Sequence, residues 1–328
     1  MTATTLQAET FRIATYAAPL SRDGPGLLLR DLKRADDPQA DAIVGVIDDV
    51  APDVLILTDF DYDLDGLALA QFARLLADDL PVHFSLMPNA GVPSGFDLDG
   101  NGWLGDARDA YGYGRFAGDG GIAILSRYPV VHDHVKDFTS MLWTDLPGAR
   151  LPQTPEGPFP STDAQAAMRL SSSAHWLVPL ALPDGSSVAL MTFAATPPVF
   201  DGPEDANGLR NRDELRLWQA VLDGIFGPVP DSFVIAGNAN LDPLAGAGYR
   251  DAMVAFLADP RLQDPLSGQP TADWNREEIG RLRVSYVLPS TDWTVVDAGV
   301  YWPANGTSLG ADGADAGPHR LVWVDIRR

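Results

Sequence analysis

The chain has 328 residues and sets 45 Asp and Glu against 23 Lys and Arg, for a formal net charge of -22. Such acidity excludes a general binder of nucleic-acid backbones, which needs clustered cations to displace counterions, so no nucleic-acid partner is expected. The absence of cysteine excludes disulfides, thiolate metal sites and a cysteine nucleophile, and no apolar run reaches the roughly 18 residues that a membrane span needs.

Residues 1–10 read as an N-terminal extension with neither the basic nor the apolar region of a signal peptide, which leaves exported and cytoplasmic locations both open. Residues 11–328 read as a single domain, with enough apolar content for a substantial core. A strand is predicted over 11–17, then a helix in "DPQADAIVGVIDDV", where Ile43, Val46, Ile47 and Val50 share one face. A strand over 53–60 precedes the acidic run "DYDLDG" and a helical window, "GLALAQFARLLADDL", with Leu69, Phe72, Ala73 and Leu76 on one side. Asp65 is the candidate N-cap of that helix. A loop-rich region over 89–120 leads to a strand over 121–129, and a second over 147–172 leads to strands over 175–182 and 187–194. Loops of this length in a compact domain are often functional. The helix in "RNRDELRLWQAVLDGIFG" places Leu215, Trp218, Leu222 and Ile225 on one side. Strands follow over 232–238, 281–289, 294–301 and 319–326. Alternation of this kind predicts an α/β protein.

Chemistry in such a fold concentrates at strand ends. The stretch "FVIAGNANLDP" carries an apolar strand into Asn238 and Asn240, polar residues that cannot act as bases. Asn240 also suits a cap of the turn into "LDP". Comparable tips are Ala17, Asp59, Ala194, Ser285 and the pair Pro318-His319. His319 can equally be a packed histidine, and His175 in "SAHW" reads as part of a strand.

The loop "DLDGNGWLGD" presents Asp97, Asp99, Asn101 and Gly102 in the opening of a D-x-[DN]-x-[DN]-G calcium loop. Alternate oxygens converge on one cation there, and the glycine allows the sharp turn. Arg108 stands where the loop's closing Glu belongs, so Asp106 or Asp109 is the substitute, and a structural Ca²⁺ held by loop 97–109 is the candidate cofactor. The alternative is an ion-free turn.

The order of these seven strand ends resembles the endonuclease/exonuclease/phosphatase superfamily, over about residues 11–326. The likeness is closest to a bacterial subgroup with long "PPVFDGPED" and "FDLDGNG" loops. The resemblance implies a two-sheet α/β sandwich flanked by helices, with a metal-dependent phosphoester hydrolase site at one end. It also implies Mg²⁺ or Mn²⁺ on a Glu and an Asn, an Asp-x-Asn pair that activates water, and two His with a supporting Asp.

This sequence departs from that pattern. Ala17 stands for the Asn, Asp59 for the metal-binding Glu, Ala194 for the catalytic His, Asn238 for the Asp of the Asp-x-Asn pair and Ser285 for a further Asp. Asn240 is retained, and Pro318-His319 replaces an Asp-His pair. A vestigial site is expected, with no intact catalytic set and no Mg²⁺ or Mn²⁺.

The leading reading is a non-catalytic member that acts by binding a ligand or a protein partner, alone or inside a larger assembly, with the regions 89–120 and 147–172 as contact surfaces. The second is a divalent-metal-dependent hydrolase rearranged around Asp59, Asn240, His319 and Glu204 or Asp205. The third is a purely structural subunit.

Overall fold

The computed structural model describes residues 9–34, 36–303 and 316–328, so most of the expected N-terminal extension lies outside the described residues. In chain order the first elements are β1 (Phe11–Leu20), α1 (Leu27–Arg34), α2 (Pro38–Val50), β2 (Val54–Phe60), α3 (Leu67–Ala73), β3 (Val82–Phe84) and β4 (Gly121–Ser126). The middle contains β5 (Lys136–Asp137), β6 (Gln153–Thr154), β7 (Gly157–Pro158), α4 (Thr162–Ala167), β8 (His175–Ala181) and β9 (Ser187–Ala194). Then come α5 (Ala206–Leu222), β10 (Phe233–Asn238), α6 (Arg250–Leu257), β11 (Ala272–Asp273), β12 (Arg281–Leu282), β13 (Ser285–Pro289), β14 (Thr294–Val300) and β15 (Val322–Arg327).

Two sheets carry the molecule. One runs β14-β15-β1-β2-β4-β3 and the other β13-β10-β9-β8-β5. The pairs β1–β2 and β9–β10 are parallel. Each needs a crossover, which α1 with α2 supplies in the first case and α5 in the second. Ile13, Ile56 and Ile124 of the first sheet meet Trp176, Leu190 and Val234 of the second in one core. The helices α1, α2 and α3 bury the outer face of the first sheet, while α5 and α6 bury that of the second. Burial on both faces explains why "DVLILTDF" and "FVIAG" are continuous apolar runs instead of alternating ones.

Helix starts follow their local chemistry. Asp37 caps α2 by accepting from the N–H groups of Gln39 (3.0 Å) and Ala40 (3.2 Å), with Pro38 opening the helix. The expected cap of α3 by Asp65 is corrected. Gly66 takes the cap position at φ 63°, and Asp63 reaches over it to accept from Leu67 N–H (2.8 Å) and Ala68 N–H (2.7 Å).

That helix also ends at Ala73, short of its apolar pattern, and Ala77 N–H turns to Asp48 of α2 (2.9 Å). On α5, Leu215, Trp218 and Leu222 are buried as expected, whereas Ile225 lies past the helix end and is 56% exposed. The predicted strand over 281–289 is two strands. Between them, Arg283 N–H bonds Asp242 (2.6 Å) and Val284 O accepts from Ala239 N–H (2.8 Å), which bends the chain toward the loop after β10.

Candidate functional site

The central strands end together. Ala17 lies across from Thr58, and Asn238 pairs with Ala194 on one side and Ser285 on the other. At this end opens a cavity of about 670 Å³. Ala17, Asp59, Ala194, Asn238, Asn240 and His319 all line it. Ser285 and Pro318 do not. Ser285 is buried on β13 with its N–H on Thr271 Oγ1 (3.0 Å), and the Pro318 carbonyl accepts from Asp273 N–H (2.9 Å). Glu204 and Asp205 also lie outside the cavity lining: Glu204 accepts from Gly202 N–H (3.0 Å), and Asp205 accepts from the Tyr249 hydroxyl (2.7 Å).

Asp59 sits where the β2–β4 register slips between Thr58 and Phe60, and its φ is 73°. A bulge re-aims one side chain out of the alternation, and a left-handed backbone at a non-glycine residue is costly. Gly120 leaves room for the carboxylate, since a Cβ there would stand 2.8 Å from Asp59 Oδ1. Burial pushes the Asp59 carboxyl up to about 7. The nearby Asp119 and Asp61 add to the rise, while the Ser21 hydroxyl and Arg22 oppose it. Asp61 is pushed up to about 6, again by burial, against N–H groups of Gly120 and Arg22.

On the opposite sheet Gly237 permits close approach to β9, because a Cβ there would meet Phe193 O at 2.1 Å. Asn240 N–H bonds Asn238 Oδ1 (3.1 Å), and the Asn240 side-chain amide donates to Ala195 O (2.8 Å). Asn240 therefore ties two strand ends together. The turn into "LDP" is capped by Asp242, which accepts from Leu244 N–H (2.7 Å) and Ala245 N–H (3.0 Å). His319 stands edge-on to Trp274 at 5.4 Å, with its buried Nδ1 unpartnered among the described residues. Burial pulls its pKa down to about 4, and neighbouring Arg320 acts in the same direction.

A polar network behind the cavity escaped the sequence reading. Glu214 of α5 is fully buried and accepts from Ser172 N–H (2.6 Å), Ser172 Oγ (2.7 Å) and Thr196 N–H (2.7 Å). Arg210 donates to the carbonyls of Leu170 (2.8 Å), Arg169 (2.8 Å) and Ser171 (3.0 Å), and also to that of Tyr111. Asn211 donates to Thr196 O (2.7 Å) and Ala239 O (2.8 Å). One helix face thus fixes loops from both sides of the cavity. The signal in the sequence is the polar run "RNRDE" on the face of α5 that also carries Leu215 and Trp218. His175, at the start of β8 as predicted, accepts at Nδ1 from Ser171 Oγ (2.7 Å) and donates from Nε2 to Glu214 O (3.0 Å). Burial pulls its pKa down to about 3, consistent with this neutral form.

The acidic loop folds separately from the cavity. Asp97 accepts from the N–H groups of Gly100 (2.7 Å), Asn101 (3.1 Å) and Gly102 (2.8 Å). Oxygens of Asp97, Asp99 and Asp109 lie within 4.8 Å of one another. The Asn101 side-chain amide donates to Asp106 (2.8 Å) and to Asp99 (3.1 Å), and Arg108 lies beside Asp99 (3.7 Å).

The donor set at the cavity does not fit the hard, oxygen-bound ion that the resemblance implies. The three acidic residues lining it, Asp59, Asp242 and Glu278, do not form a converging cluster, and Glu278 stands exposed. Ala17 offers only a methyl group. Asp59 alone is placed as a carboxylate ligand, and the one converging acidic group among the described residues is Asp97, Asp99 and Asp109.

Two helix-flanked sheets with a cavity at their strand ends define an α/β sandwich. The chain belongs to the Endonuclease/Exonuclease/phosphatase family, whose model matches residues 26–313. The structure is similar to an endonuclease/exonuclease/phosphatase from Beutenbergia cavernae, with a TM-score of 0.56 and 18% identity over 97% of this chain and 71% of that one. It is similar to sphingomyelinase C from Streptomyces griseocarneus, with a TM-score of 0.52 and 16% identity over 97% of this chain and 99% of that one. Truncated TDP2 from Caenorhabditis elegans matches with a TM-score of 0.50 and 12% identity over 97% and 98% of the two chains. No curated protein matches the sequence. Likeness at these identities establishes the shared fold.

Proposed function

We propose that this protein is a non-catalytic member of its family, which binds a ligand or protein partner at the cavity where its relatives carry out phosphoester chemistry. The observation that carries the reading is the wall of that cavity. Methyl groups of Ala17 and Ala194 and the neutral amide of Asn238 stand at positions where the resemblance implies a metal ligand, a general acid and a base. One lost general acid or base costs about 10²- to 10⁴-fold in rate, against an enzymatic enhancement of roughly 10⁶-fold or more. Losses within one machine are not additive, but several together leave little of it. The remaining histidine, His319, is held neutral against Trp274.

A rearranged hydrolase is the second reading, favoured by one observation: Asp59 titrates at about 7, where a carboxyl can exchange protons at physiological pH. A phosphoesterase assay decides between the two. With Mg²⁺, Mn²⁺ or Ca²⁺, hydrolysis of DNA, sugar phosphates and simple phosphodiesters is expected at background. Metal-dependent turnover abolished by Asp59→Ala or His319→Ala would overturn the non-catalytic reading.

We further propose that the acidic loop holds a structural Ca²⁺ through Asp97, Asp99 and Asp109. The convergence of their oxygens supports this.

A further inference from the structure

The charged residues that line the cavity are all acidic. Its volume of about 670 Å³ suits a small molecule. Among the described residues its lining contains no Lys or Arg, and its charged residues are Asp59, Asp242 and Glu278. An anionic ligand would meet carboxylates with no cation to offset them. Asp59 has no ion-pair partner among the described residues, and the adjacent Arg22 is already engaged by Asp31 (3.4 Å) and Asp37 (2.6 Å). A half-buried carboxylate without a counter-ion is only partly solvated, and a bound cation stabilises it.

One more observation points to the same ligand. The walls include Trp274, Tyr113 and Phe200, and the last two stand 66% and 78% exposed. Aromatic faces attract cations and cover apolar bodies.

We infer that the cavity binds a protonated organic amine on an apolar or aromatic body, its ammonium group at Asp59 and its body against Trp274, Tyr113 and Phe200. This deepens the reading of the cavity as a non-catalytic binding site and rests on it. The net charge of -22 draws cations toward the molecule, and the cavity sorts among them by the body they carry.

Three probes that share one ring test the inference: benzylamine, benzyl alcohol and phenyl phosphate. Each is titrated into the full chain by calorimetry and by ligand-observed NMR. Benzylamine is expected to bind at least about tenfold more tightly than benzyl alcohol, the size of effect that a desolvated cation contact supplies. Phenyl phosphate is expected not to bind. Asp59→Asn, confirmed folded by its melting transition, should bring benzylamine down to the level of the alcohol. Phe200→Ser, at an exposed position, should weaken amine and alcohol alike.

Equal binding of alcohol and amine, preference for the phosphate, no amine binding, or an amine affinity unchanged in Asp59→Asn each overturns the inference. The last outcome also marks cation accumulation on an acidic surface, since the substitution removes one charge among many. Release of inorganic phosphate from phenyl phosphate would count against the non-catalytic reading instead, and the amine-to-alcohol ratio is measured independently of it.

Discussion

Asp59 shows what one residue can hold when the fold encloses it. In the unfolded chain a carboxyl of this kind titrates at about 3.9, whereas here it is raised to about 7. The native state therefore keeps a proton that the unfolded chain has already released. The resulting contribution to stability is complete below the unfolded value and is lost as pH rises through the folded one. Asp59→Asn is accordingly expected to raise the melting temperature at about pH 8, with a gain that shrinks toward about pH 5. Asp61, Asp119 and Arg22, the charged groups that act on Asp59, are the same in both proteins and largely cancel from the comparison. A gain of equal size at both pH values would show that the Asp59 carboxyl does not titrate in this range.

At the scale of an element, the loop from Asp97 to Asp109 is organised by its own aspartates before any ion arrives, because Asp97 and Asp109 accept from backbone N–H groups. Preorganisation lowers the ordering cost of binding. Ca²⁺ at about 100 times its dissociation constant contributes roughly 2.7 kcal/mol to the folded state. For a chain of this size that is a rise of a few degrees in melting temperature, reversed by chelator. Mg²⁺ is expected to do less, since it demands stricter octahedral geometry and dehydrates reluctantly. The double variant Asp97→Ala, Asp99→Ala should lose the Ca²⁺-specific rise and keep the small response that any divalent cation gives on an acidic surface. Identical responses in the two proteins would make the loop a bare turn.

At the scale of the whole molecule, carboxylates outnumber cations and engage several of them in ion pairs. Arg12 is paired with Asp325 (2.7 Å), Arg22 with Asp37 (2.6 Å) and Arg261 with Asp259 (2.5 Å), and Arg283 is held by Asp264. Duplex DNA is expected to show no shift in electrophoretic mobility at moderate salt, because phosphate binding needs several cationic contacts. Micromolar binding with a steep salt dependence would reveal a basic groove in spite of the net charge of -22. No helix among the described residues is long and apolar enough to cross a membrane.

The long strands were legible in the sequence because burial on both faces writes itself as unbroken runs of Val, Ile, Leu and Ala, and their ends because glycine and polar residues interrupt those runs. The order of those ends was enough to point to the family and to name the positions around the cavity, six of which line it. Short strands such as β5, β6 and β11 were not legible, since two residues carry no period and owe their state to a partner. The cap by Asp63 depended on the left-handed turn at Gly66, which spacing alone does not reveal. The roles of Arg210, Asn211 and Glu214 were equally hidden: a polar run on a helix reads as a solvated face until loops from residues 111, 169–172, 196 and 239 close over it. By itself the sequence determined where the long central strands lie, since local pattern encodes strands directly, although β1 runs on past Ala17 to Leu20 and β15 begins only at Val322. Only the tertiary structure decided that Asp59 is half-buried with no ion-pair partner among the described residues, that none of the described residues lining the cavity is Lys or Arg, and that aromatic side chains border it, because burial and charge balance are properties of neighbours far apart in the chain.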